Sequence, residues 1–282
     1  MDREGAEITA TARKRSLVVP REHGAWGILM VPLITGGVVG LLAGGHGEGL
    51  IPLVLAALTL FWLRTPLESW SGTAAVRARA PEELRLVRFA TLLLLLGSLI
   101  GLAWLFWGGR NLGLMWIGAA AAFAFLLQFI LRQFRRDART AAQMIGAAGL
   151  TSTAPSAYYV ATGHLDSTAW VLWAANLLFA LNQIQFVQLR IHAARAATRA
   201  EKLAAGRGFL AGQAVLLAFL VTACAAGAFP WFAAVAFVPL LIRGFAWFTA
   251  APEPLAIHAL GKRELVYACA FGVLIIIGMQ LH

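Results

Sequence analysis

Nine stretches of about twenty mostly apolar residues dominate this 282-residue chain, and short polar or basic connections separate them. They run roughly over 24–44, 49–64, 87–107, 112–131, 140–162, 167–190, 207–226, 229–249 and 263–281. A helix needs ~20 apolar residues to cross the hydrocarbon core of a bilayer. No water is available there, so the backbone must satisfy its own N–H and C=O groups, and runs of this kind do so as helices. The expectation is an all-α polytopic membrane protein, a single bundle of nine helices over 20–282 behind a disordered basic tail at 1–19. The charged fraction of 13% agrees, because soluble domains carry about 25%.

The net charge of +10 would suit nucleic acid, but its distribution argues otherwise. Of the 23 Lys and Arg, 22 fall in the N-terminal segment and in alternate connections, taking Arg243 with the last of these, and Arg110 stands alone on the other side. Cytoplasmic loops collect Lys and Arg, which places the N-terminus in the cytosol and the C-terminus outside. Basic loops beside apolar spans face anionic lipid. Membrane lipids are therefore the expected partners and nucleic acid is not. Cys224 and Cys269 lie inside apolar runs and read as small buried hydrophobes.

Within this frame the polar end of the sixth run stands out. Asn182, Gln185, Gln188 and His192 follow spacings of three, three and four, which put them on one helical face beside Arg190. Amides inside a membrane helix are costly unless they find partners or line a wet cavity. Other polar groups stand at cytosolic helix ends. Arg64 suits bidentate contact with an anion, and Glu68 follows one turn later. Glu22 and His23 open the first run, where the pair suits either a helix cap or acid–base chemistry. Arg132, Arg135, Arg136 and Arg139 read as a headgroup-facing cluster, and Glu264 as a carboxylate on a helix dipole. The fifth run, rich in Gly, Ser and Thr and carrying Pro155, allows close helix approach and invites a break. The chain has no phosphate loop, His/Cys metal set or nucleophile elbow.

The segments Pro20-Arg21-Glu22-His23-Gly24-Ala25-Trp26, Val31-Pro32-Leu33, Arg64-Thr65-Pro66-Leu67, Leu189-Arg190 and Leu260-Gly261-Lys262-Arg263-Glu264-Leu265 resemble the YwiC-like family of bacterial membrane proteins. The resemblance implies the bacterial inner (cytoplasmic) membrane rather than a particular chemistry. More distantly, the nine-span plan and the basic connection at Arg132 that leads to Tyr158-Tyr159 and Thr162-Gly163 resemble the UbiA-type prenyltransferase superfamily. Its Asp-rich, Mg2+-binding motifs would fall after Arg64 and at Asn182, where this chain has Glu68 and neutral amides. No metal or catalytic residue is carried over, and no cofactor is expected.

The function expected is recognition of an amphipathic molecule, isoprenoid-like or anionic-headed, in a polar cavity facing the cytosol. Glu22, His23, Arg64, Glu68, Asn182, Gln185, Gln188, Arg190 and His192 are the candidate contacts. The alternatives are a small-anion transporter and a residual prenyltransferase, the latter needing Mg2+ at Glu68 and Glu201.

Overall fold

A computed structural model describes residues 12–20, 23–72, 76–107, 109, 112–134, 139–196, 198–251 and 255–281. Every regular element among the described residues is a helix. In chain order they are α1 (12–18), α2 (His23–Leu42), α3 (Leu50–Ser71), α4 (Pro81–Trp107), α5 (Leu112–Phe134) and α6 (Arg139–Thr151). Then follow α7 (Thr153–Thr162), α8 (Ser167–His192), α9 (Arg199–Ala225), α10 (Trp231–Ala234), a 3-10 turn Val235–Phe237, α11 (Val238–Thr249) and α12 (Ile257–Gln280). Among the described residues, six helical stretches are long and apolar enough to cross a membrane: α3, α4, Gly113–Leu131 of α5, α8, α9 and the continuous Trp231–Thr249. The protein is thus an all-α polytopic membrane protein.

The expected fifth run is two helices, α6 and α7, that meet at Ser152. Pro155 has no N–H to give the Thr151 carbonyl, so the ladder fails one turn before it. The hydroxyls of Thr151, Ser152 and Thr153 donate to the carbonyls of Ala148, Gly149 and Leu150, which satisfies acceptors next to the break. The last helix begins at Ile257 rather than near 263, so Gly261-Lys262-Arg263 lies inside it.

The chain divides into two compact units, residues 1–23 with 48–111 and residues 24–47 with 112–282. In the first, α3 and α4 form an antiparallel hairpin joined through the αL glycine Gly72, at φ 76°. Its helices approach closely at small residues. A Cβ on Gly101 would lie 2.9 Å from the Ala56 nitrogen, and one on Gly97 would lie 2.9 Å from Thr59 Cγ2. Between them Ser98 Oγ donates to Thr59 Oγ1 at 3.0 Å. Membrane helices, which gain nothing from expelling water, associate through such contacts.

The N-terminal segment expected to be disordered contains α1. Leu17 of α1 is fully buried, Trp62 Nε1 donates to the Val18 carbonyl at 2.7 Å, and Arg13 Nε reaches Glu83 Oε1 at 2.6 Å. Glu83 Oε2 also accepts from the backbone N–H groups of Arg79 and Ala80 at the start of α4. The unpaired amides of a helix start favour a carboxylate there.

The second unit surrounds an aromatic centre. Phe271 of α12 stacks on Phe179 of α8 at 4.4 Å between ring centroids and meets Phe237 edge-on at 5.4 Å. Leu216 and Leu220 of α9, Leu240 of α11 and Ile275 of α12 complete this core. On another side, α2 lies against α7 at glycines. A Cβ on Gly36 would collide with the Ala154 carbonyl oxygen, and one on Gly40 would lie 2.8 Å from Ala161 Cβ. Cys224 is buried as expected, whereas Cys269 is exposed on α12.

Candidate functional site

Four helices of the second unit, α8, α9, α11 and α12, bring five polar side chains into an otherwise apolar interior. These are Asn182 and Gln183 of α8, Gln213 of α9, Arg243 of α11 and Glu264 of α12, all at least nine-tenths buried. Arg243 is central. Its Nη1 donates to Glu264 Oε2, and its Nη2 donates to Asn182 Oδ1 at 2.9 Å. Its guanidinium is flanked by the rings of Phe186, at 4.1 Å, and Tyr267, at 5.0 Å. Gln183 Nε2 ties α8 to α12 by donating to the Glu264 backbone carbonyl at 3.1 Å. Gln213 lies against the α11 backbone at Gly244, where a Cβ would meet its Nε2 at 2.9 Å. Any larger residue at 244 would therefore displace this amide.

Local sequence explains the placement. The 193–198 and 250–256 connections join α8 to α9 and α11 to α12, so the four helices approach the cluster from the same end of the unit. Asn182 lies about 15 Å from the end of α8 and Glu264 about 10 Å from the start of α12. At that end Lys202 of α9, itself buried, donates through Nζ to the carbonyls of Trp247, Ala250 and Ala251 at 3.2, 2.8 and 3.4 Å. It thereby caps the last turn of α11, whose final carbonyls lack intrahelical partners.

The cluster is incompletely satisfied. Gln183 Oε1, both Gln213 side-chain polar atoms, Arg243 Nε and Glu264 Oε1 are buried with no hydrogen-bond partner in the protein. One turn or two deeper along α8, Asn176 Nδ2 donates to Thr35 Oγ1 of α2 at 3.1 Å, and its Oδ1 is likewise without a partner. Buried polar groups are nearly always bonded, and orphans at this density mark a place for water or ligand atoms. Ionisable groups within a membrane bundle point to function for the same energetic reason.

The expected stripe is distributed rather than convergent. Asn182 enters the cluster. Gln185 is half-buried, and a Cβ on Gly212 of α9 would be 3.1 Å from its Oε1. Gln188 Nε2 donates to Gln143 Oε1 of α6 at 3.1 Å. Arg190 is half-buried, and His192 is exposed with Nδ1 2.7 Å from the Gln188 carbonyl. Arg64 and Glu68 belong to the first unit and pair with each other, Nε to Oε1 at 2.8 Å. Glu22 lies outside the described residues, as does the side chain of His23, although that residue opens α2.

Gln183, Gln213, Arg243 and Glu264 are the members that reasoning from the sequence missed. Arg243 counts with the basic connections by sequence, yet it lies mid-helix in Val238–Thr249 and is buried. Its run Leu240-Leu241-Ile242-Arg243-Gly244-Phe245 has no other charge, which was the available signal. Glu264 is not at a first turn but in the second turn of α12, facing inward to Arg243.

The family model for YwiC-like proteins matches residues 19–158. A curated protein of Bacillus subtilis (strain 168), called Uncharacterized protein YwiC, is 25% identical over 258 residues. That alignment covers 90% of this chain and 95% of the relative, whereas the family-model match ends at residue 158, before the cluster. No solved structure matches.

Proposed function

The chain is a membrane protein of the YwiC-like family, and from that premise we propose that it binds an amphipathic molecule whose polar head enters the buried cluster of the second unit. The supporting observation is the set of unpartnered atoms on Gln183, Gln213, Arg243 and Glu264, enclosed by the apolar walls of four helices. Leaving such groups unbonded costs about 1–3 kcal/mol each, and a bound head removes that cost where lipid tails cannot. The tail of the molecule, isoprenoid-like or another hydrocarbon, lies among the apolar side chains of the bundle. The charge pattern of the connections supports entry from the cytosolic side of a bacterial inner membrane.

Native mass spectrometry of the protein released from mild detergent tests this reading. A specific lipid should accompany the wild-type protein and be lost from the Asn182→Leu/Gln213→Leu variant. The absence of any specific co-purifying lipid from both proteins overturns the reading.

A further inference from the structure

We propose that the head received by the cluster is uncharged and both gives and accepts hydrogen bonds, as an aliphatic or phenolic hydroxyl does, and is not a phosphate or carboxylate. This rests on the binding role just described and narrows its ligand.

The first argument is that the end-on grip of Arg243, through its two terminal nitrogens, is already engaged by protein partners. Arg captures carboxylate or phosphate by presenting two parallel N–H groups. In Arg243 one terminal nitrogen is bonded to Glu264 and the other to Asn182, and aromatic rings lie against the guanidinium. Nε is the one guanidinium nitrogen with no partner.

The second argument is charge. Arg243 and Glu264 balance each other, and the other three members are neutral amides. Arg190, two turns beyond Gln183 along α8, hydrogen-bonds to none of the five. An anionic head would bring a second negative charge next to Glu264, where Arg243 is already paired and Arg190 acts only through space. In a low-dielectric interior that is expensive.

The third is the inventory of open atoms. Two are donors, Arg243 Nε and Gln213 Nε2. Three are acceptors, Gln213 Oε1, Gln183 Oε1 and Glu264 Oε1. A phosphate diester or carboxylate only accepts and would leave all three acceptors unanswered. A hydroxyl donates once and accepts up to twice, so it answers both kinds.

The test uses full-length protein in phosphatidylcholine nanodiscs and three photoreactive probes with the same hexadecyl chain, carrying a hydroxyl, a carboxylate or a phosphate. After crosslinking, labelled peptides are mapped to α8, α9, α11 and α12. The alcohol should label the segments around 182, 213, 243 and 264 at least tenfold more than either anion, and unlabelled hexadecanol should compete. Equal or greater labelling by the carboxylate or phosphate overturns this inference while leaving the binding role standing. No labelling of these segments by any probe overturns both, and identifies the open atoms as sites for water only. The ratio among probes is read on the wild-type protein, so it does not depend on a variant folding. Gln213→Met provides the second measurement and should reduce alcohol labelling to the level of the anions.

Discussion

Arg243 and Glu264 meet side chain to side chain across α11 and α12, each with only 6% of its side chain exposed. Breaking such a pair differs in energy from removing it whole. Arg243→Met or Glu264→Met alone strands a buried charge and should cost about 3–5 kcal/mol. The double substitution should recover most of that loss, because an apolar pair of similar volume suits the surrounding core. Unfolding in mixed micelles, followed across this double-mutant cycle, measures the difference. Additive losses would show that the two charges do not depend on each other.

Gly36 lies against the Ala154 carbonyl so closely that a Cβ would collide with its oxygen. Gly36→Ala should force α2 away from the start of α7 and destabilise the protein by about 1–3 kcal/mol. Gly118→Ala is the matched control, since a Cβ there meets nothing within 4 Å. Its effect should be neutral or slightly stabilising, given the poor helix propensity of glycine. Thermal denaturation in detergent compares the two.

Lys202 holds the end of α11 through three carbonyls and stands 5.0 Å from the Trp247 ring centre. Lys202→Met keeps the stem and removes the ammonium, and should cost about 1–3 kcal/mol. Hydrogen exchange of the amides at 247–250 should accelerate, while those of α3 and α4 stay unchanged.

In the first unit, Glu83 and Arg13 predict unequal effects. The Arg13 side chain is half exposed, so Arg13→Ala should cost little, and that cost should shrink in salt. Glu83→Ala also deprives the N–H groups of Arg79 and Ala80 of their acceptor, and should cost about 0.5–2 kcal/mol with weaker salt dependence. Stability measured at 0.05 and 0.5 M salt separates the two contributions.

Asn182 was legible as a polar residue needing a partner because an amide in an apolar helix is conspicuous by itself, and it meets Arg243. Its neighbour Gln183 was not, because periodicity ranks faces of one helix and is silent about which face meets a polar partner. The face carrying Asn182, Gln185 and Gln188 touches three different neighbours, through Arg243 of α11, Gly212 of α9 and Gln143 of α6. Arg243 was misread for a related reason. Its charge fits a basic connection in a count of loops, and only its partner Glu264 makes its burial tolerable. The break at Ser152, by contrast, was readable from Pro155, since a missing N–H acts locally.

The sequence by itself determined an all-α membrane protein, because length and apolarity of the runs leave helices as the way to satisfy the backbone in lipid. It also determined where helices approach closely or break, because glycine and proline act on their own turn. The tertiary structure decided which polar residues meet. The partners of the cluster are 21, 61 and 81 residues apart, at Arg243–Glu264, Asn182–Arg243 and Gln183–Glu264. A hydrogen bond reaches only ~3 Å, so it depends on how four helices are packed and not on any spacing along one of them.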